Sequence, residues 1–446
     1  MKDHSFALGH SENAALSMAE RFSLFLVVAG VVLGLMPLGA PWLGSWPLVA
    51  GISMVTAGGL WYFYLRFWQK PHLANVGVWS QGQTSKGWSA WVVALLLTGF
   101  YVLLYWFPWV LDGLIRTTDG LSFWLRNKPA DNWFLYGTFY TFAVLLMGVR
   151  ALLKYRHSRY QLIRTCSVMF FQLVFAYLLP HLMVMFQQPE FYFSYFWPLK
   201  YEYLWPDSVA SLAQQPGGVG VFLIFWSVTL SFLATPVLTY FYGKRWYCSW
   251  VCGCGGLAET AGDPYRHLAD RSRKAWRWEV RLVYSILAAI ILITILLWAN
   301  SFLKGAILGH LSGSFAQWYG FFIGSIFAGV IGVGFYPLLG SRVWCRFGCP
   351  MAAYLGLLQK HFSRFRITTN GGQCISCGNC STFCEMGIDV RHYAQKGEPI
   401  IRAACVGCGM CATVCPRGVL KLENGPTQGR YDASQLIHPD NLRILS

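Results

Sequence analysis

The sequence predicts an α-helical, multi-pass membrane protein of about eight transmembrane helices, followed by a small, polar, cysteine-rich C-terminal domain. Three observations predict it. The 446 residues are 55% hydrophobic and only 12% charged, about half the charge of a typical soluble domain. Several apolar runs reach the ~20 residues needed to span a bilayer. From about residue 365 the chain turns polar and Gly-rich, and this stretch holds eight of the 14 cysteines.

The candidate spans are residues 21–41, 47–68, 88–111, 134–153, 164–186, 217–242, 279–300 and 314–340. Their loops alternate in charge. Arg66, Lys70 and Lys86 follow the second span, and Arg150, Lys154, Arg156, Arg159 and Arg164 follow the fourth. Lys244, Arg245, Arg266, Arg271, Arg273, Lys274 and Arg277 follow the sixth; Arg342, Arg346, Lys360, Arg364 and Arg366 follow the eighth. The opposite loops carry Lys200 against Glu190, Glu202 and Asp207, and Lys304 alone. Basic loops stay in the cytoplasm. This charge alternation puts both termini and the C-terminal domain in the cytoplasm, and the expected location is a bacterial inner membrane. Residues 1–20 are mixed in charge and show no small-residue cleavage site, so the first span reads as a span rather than a signal peptide. The net charge of +16 is thus a topology signal, and no nucleic-acid partner is expected.

The polar domain contains "CISCGNCSTFCEMG" and "CVGCGMCATVCPRG", two C-x2-C-x2-C-x3-C runs starting 31 residues apart. This is the bacterial-type ferredoxin pattern for two [4Fe–4S] clusters, in which the fourth cysteine of each run serves the other cluster. By that rule Cys374, Cys377, Cys380 and Cys415 hold one cluster, and Cys384, Cys405, Cys408 and Cys411 the other. Gly378 and Gly409 let the backbone wrap closely. Zinc favours pairs of ligands over such a run, and disulfides conflict with a cytoplasmic domain. Pro416 follows the last cysteine of the second run, whereas Glu385 stands at the matching place in the first.

Two further motifs end transmembrane spans. "GKRWYCSWVCG" at 243–253 and "GSRVWCRFGCP" at 340–350 align with every matched pair 97 residues apart. This is an internal repeat. If each motif is helical, Cys248 with Cys252, and Cys345 with Cys349, sit at i and i+4 on one face. The expectation is that all four meet at the cytoplasmic boundary, with Arg245 and Arg342 favouring thiolates. They form either a four-thiolate centre for iron or another metal or a dithiol–disulfide pair. Cys254 has no counterpart, since Met351 occupies its place, and Cys166 reads as packing.

Two C-x3-C motifs at helix ends followed by two ferredoxin motifs resemble the NapH/NosR group of membrane iron–sulfur proteins. The resemblance covers roughly residues 164–422; the first motif departs from the family's C-x3-C-P by having Gly253. It implies electron transfer between a quinone or quinol in the membrane and a partner oxidoreductase, with this chain as a subunit of that complex. A different class, an assembly or maturation factor for a respiratory metalloenzyme, shares the same motif pair; it should carry an extra globular domain, and none is evident. The expected division is a four-helix membrane region at 1–160, a membrane electron-transfer core at 161–364, a ferredoxin domain at 365–422 and a tail at 423–446.

Four lesser features complete the reading. His181, Met183 and Met185 are expected to pack rather than bind metal, with His310 the nearby second histidine for a haem. Gly320 and Gly324, with Gly329, Gly332 and Gly334 following, are expected to form a helix-packing surface. Trp68, Trp106, Trp109, Trp197 and Trp205 are expected at the membrane interfaces. Asp263 and His267 are expected in a solvated loop rather than as a proton relay.

Overall fold

The structure, a computed structural model, describes residues 16–69, 87–190, 192, 194, 196–198, 204–215, 217–309 and 311–424. Lys70, Lys86, Lys200, Glu202, His310 and the tail beyond Asn424 lie outside the described residues. Among the described residues, eight helices are long and apolar enough to cross a membrane. The first six are α1 (Met18–Leu38), α2 (Trp46–Trp68), α3 (Trp88–Trp106), α4 (Asn132–Lys154), α5 (Arg159–Met185) and α6 (Val219–Tyr242). The short helices α7 (Arg245–Cys248) and α8 (Gly253–Glu259) carry the first C-x3-C pair. The last two spans are α9 (Arg273–Phe302) and α10 (Gly313–Ile331). The second pair lies on α11 (Val343–Phe347) and at the start of α12 (Pro350–Phe362).

Local chemistry sets the ends. Ser17 and Glu20 form a reciprocal capping box on α1. Asp131 caps α4 by accepting from the Phe134 N–H at 2.7 Å. α3 stops at Trp106, short of the expected residue 111, because Pro108 follows and disfavours helix in the residue before it. α10 stops at Ile331 rather than 340, where Gly332, Gly334 and Pro337 interrupt it.

The glycine-rich stretch expected to pack does so through its later members, whereas a Cβ on Gly324 would meet open space. Gly329 faces the Tyr105 ring and Gly334 faces Thr98. In the N-terminal region α1 and α2 approach closely, and a Cβ on Gly51 would lie 2.5 Å from the Gly30 carbonyl oxygen. Trp68 and Trp109 are exposed, as interface residues should be, but Trp197 and Trp205 are buried against α9.

The C-terminal domain pairs β1 (Phe365–Thr369) with β2 (Leu420–Asn424) antiparallel, Phe365 opposite Asn424. The strand thus runs two residues past the expected domain end at 422. The domain is not tethered at a distance. One continuous core joins Tyr247, Cys248, Cys349 and Leu355 of the membrane part to Phe365, Ile367, Cys405 and Val406 of the domain.

Candidate metal centres

Each cysteine run of the domain turns at a glycine in the left-handed region, Gly378 at φ 80° and Gly409 at φ 71°, and then enters a single helical turn. That backbone is cheap only for glycine. Two recesses result. One is lined by Cys374, Cys377, Cys380 and Cys415. The other is lined by Cys384, Cys405, Cys408 and Cys411. The structure therefore brings the cysteines together in the crossed grouping. Burial pushes the Cys380 thiol up to about 12 and the Cys405 thiol up to about 11. Such thiols keep their protons until a cation displaces them. Four sulfurs around an otherwise apolar recess fit a [4Fe–4S] group.

The second recess faces the membrane part. Side chains of that part donate to carbonyl oxygens of the 403–408 loop: Lys244 Nζ to Ala403 at 3.2 Å, Gln359 Nε2 to Cys405 at 2.8 Å and the Ser249 hydroxyl to Val406 at 2.8 Å. The Tyr160 hydroxyl donates to Gly407 at 2.9 Å, and Gln161 Nε2 to Cys408 at 3.0 Å.

The paired C-x3-C motifs repeat in structure as well as sequence. Gly243 (φ 67°) and Gly340 (φ 93°) turn the chain before each. The Cys252 N–H donates to the Tyr247 carbonyl at 2.8 Å, and the Cys349 N–H donates to the equivalent Trp344 carbonyl at 2.9 Å. The expected single helix is absent. Cys248 and Cys345 lie on short helices, whereas Cys252 and Cys349 are extended N-caps of the next ones. The chain breaks between the thiols of each pair, so helical i, i+4 spacing does not apply. The four thiols nonetheless feel one another's charge: Cys349 senses Cys345, Cys248 and Cys252.

Burial dominates their chemistry. It pushes Cys248 up to about 12 and raises Cys345 and Cys349 as well. Arg342 pulls the other way on Cys345, with its Nη1 3.7 Å from the sulfur, without overturning burial. Arg245 stacks instead on the Phe365 ring at 4.7 Å. Cys252 is the exception. A hydrogen bond from Cys254 lowers it to about 6 against burial, helped by the Gly255 N–H. Cys254, set aside in the sequence for want of a repeat partner, is thus close enough to act on the Cys252 thiol. The C-x-C spacing at 252–254 was the available signal.

A buried charge network lies beneath both centres. Glu259 on α8 pairs with Arg164, Arg266 and, at 2.8 Å, Arg342 Nη2. Glu385, beside Cys384, makes 3.0 Å ion pairs with Arg266 Nη1 and Arg342 Nε. Arg342 Nη1 also donates to the Cys248 carbonyl at 3.1 Å. Burial works against the Glu259 charge, but its three arginines outweigh it and hold the carboxyl well below the usual range. Glu385 is raised by burial, with Glu259 adding repulsion.

Asp263 is buried, which overturns the solvated-loop reading. Its carboxylate accepts from Arg150 Nη1 and Lys154 Nζ at 2.7 Å, Tyr155 at 2.6 Å and Arg266 Nε at 2.8 Å. Every lone pair has a partner, so it is a structural anchor. His181 packs between the Phe134 and Tyr177 rings, both at 4.9 Å. Cys166, expected to pack, is exposed.

Comparison with known proteins defines the class. The family described as a 4Fe-4S dicluster domain matches residues 366–416. A second, described as a 4Fe-4S binding domain, matches twice, over 224–276 and 319–368, once on each C-x3-C pair. The chain is an iron–sulfur protein with eight candidate membrane helices and a C-terminal [4Fe–4S] region. Two curated relatives carry it further. It is 30% identical over 154 residues to YccM of Escherichia coli K12, whose name proposes electron transport, covering 33% of this chain and 43% of that one. It is 26% identical over 155 residues to the methylamine utilization ferredoxin-type protein MauN of Methylobacillus flagellatus, covering 32% of this chain and 50% of that one. The chain thus spans half or less of each relative's length. No solved structure matches it significantly.

Proposed function

We propose that this chain is a membrane electron-transfer subunit of an oxidoreductase complex, carrying electrons between the quinone pool and a partner redox enzyme. Two [4Fe–4S] clusters, one held by Cys374, Cys377, Cys380 and Cys415 and one by Cys384, Cys405, Cys408 and Cys411, supply one-electron carriers when bound. Cys248, Cys252, Cys345 and Cys349 are the third station, at the membrane boundary. The observation that supports this order is Arg342. One guanidinium touches Glu385 beside the second recess, and the Cys345 sulfur and Cys248 carbonyl of the boundary site. The first recess then faces the partner. The names of the two relatives agree with a carrier role.

The test starts from chain purified without oxygen, with about eight irons expected. Cys415→Ser should abolish the paramagnetic signal of the first-recess cluster and leave the other. Serine at all four boundary cysteines should keep both clusters yet stop their reduction by a short-chain quinol. Loss of the opposite cluster in Cys415→Ser would refute the ligand grouping. Unchanged quinol-linked reduction in the fourfold variant would remove the boundary site from the route.

A further inference from the structure

A cavity of about 210 Å³ lies where α9 enters the membrane, between that helix, α12 and the loop leading to Cys405. We propose that it binds the phosphate head of an anionic phospholipid. The proposal does not depend on the electron route above.

Its charge is lopsided. Lys244, Arg346, Lys360 and Arg402 line it against one carboxylate, Glu279. That carboxylate is already taken by Arg346 Nε at 2.6 Å. Three cations remain, and among the described residues none of them pairs with a carboxylate. Lys244 is the telling one. It is 2% exposed, and the hydrogen bond of its ammonium goes to a neutral carbonyl, that of Ala403, at 3.2 Å. An ammonium out of water without a counter-ion is costly. The cavity beside it has room for an anion.

The mouth identifies the carrier of that anion. Trp276 and Val280 on α9 and Ile401 opposite are 47%, 39% and 37% exposed. Trp276 stands at the start of a membrane-spanning helix, the level at which tryptophan marks the lipid headgroups. Arg402 is held over the Trp276 ring at 5.2 Å and donates to the Tyr393 hydroxyl at 3.2 Å, so it is positioned before any ligand arrives. A charged interior behind an apolar lip suits an amphipathic anion. Basic pockets at the cytoplasmic ends of membrane helices take such headgroups. A lipid seated here would wedge the membrane helix to the domain that carries the second recess.

The rival account is that Lys244 balances sulfur charge, since it acts electrostatically on Cys248, Cys345 and Cys405. Native mass spectrometry of the full chain, stripped of lipid in neutral detergent and titrated with phosphatidylglycerol, separates the two. One phosphatidylglycerol should remain bound at concentrations where phosphatidylcholine does not. Lys360→Gln with Arg402→Gln should weaken it about thirtyfold, at about 1 kcal/mol per cation near the headgroups. Lys360→Gln alone, at an exposed side chain, should weaken it about fivefold and guards against misfolding of the double variant. Equal retention of phosphatidylcholine, or no loss in either variant, would overturn the proposal in favour of the sulfur-balancing account. Inorganic phosphate competing at equal concentration would assign the site to a free anion, and displacement by a short-chain quinone would assign it to that carrier. Either result also overturns it.

Discussion

Arg245 and Arg342 hold equivalent places in the repeat and have different roles. Arg342 is fully buried and bonded to two glutamates and to the Cys248 carbonyl. Removing a partner from a buried ion cluster costs about 3–5 kcal/mol, whereas a partly exposed cation–π contact contributes about 0.5–1 kcal/mol. Arg342→Gln should therefore unfold at a clearly lower temperature in detergent, and Arg245→Gln should stay close to the parent. Equal losses would mean that the repeat is symmetric in energy as well as in backbone. The sequence made the ferredoxin-type cysteines legible because the spacing within each of their two short runs is local. Arg342 was not legible as a hub. Its partners lie up to 94 residues away and share no spacing pattern. Glu385 looked like a departure from a motif. Its reason is tertiary, because the residue after Cys384 must face two arginines here.

At the scale of elements, the loop after α8 is pinned to the end of α4 through Asp263. Burial opposes the Asp263 charge, but Lys154, Arg150 and Arg266 outweigh it and hold the carboxyl well below the usual range. A depressed carboxylate stabilises the fold above its unfolded pKa of about 3.9, and that contribution is lost as pH falls through the lower folded value. Thermal unfolding should therefore be insensitive to this group from pH 8 to 5 and should weaken below about pH 4. Asp263→Asn should lower stability by about 3–5 kcal/mol at neutral pH and remove that part of the acid decline. A variant whose acid limb matches the parent's would show that the loop is held by other contacts. Sequence reading missed this anchor because a charged loop residue looks the same whether or not another helix end meets it. The helix lengths were easier, since apolar runs state them; the early ends of α3 and α10 came from proline and glycine placed inside runs that remain apolar.

At the scale of the molecule, the basic loops do two jobs. Arg150, Arg164, Arg266, Arg342 and Arg346 are buried, so their charges are spent on carboxylates within the protein. Arg159, Arg273, Lys274, Arg277, Lys360 and Arg364 are exposed and remain free to orient the chain. They sit at helix ends and loops on the side of the C-terminal domain, so a reporter fused after Arg277 should read cytoplasm and one near Asp207 should read the opposite side. Replacing Arg273, Lys274 and Arg277 with glutamine should weaken that bias; replacing buried Arg266 should lower stability and leave it intact. A reporter read outside at Arg277 would reverse the sidedness of both recesses.

The position of Glu385 in the chain also gives the network an order in time. Arg164, Arg266 and Arg342 are synthesised first, with Glu259 to share among them; the carboxylate that completes the set arrives only with the cysteine-rich domain. Domains form as they emerge from the ribosome, but here the charge network of the membrane part is complete only once the cysteine-rich domain docks. That end surrounds two recesses of sulfur whose folding is linked to metal. A cell short of iron would then accumulate chains with incompletely neutralised arginines at the membrane boundary, the kind of defect that proteases remove. Abundance of the protein should in that case track the supply of iron.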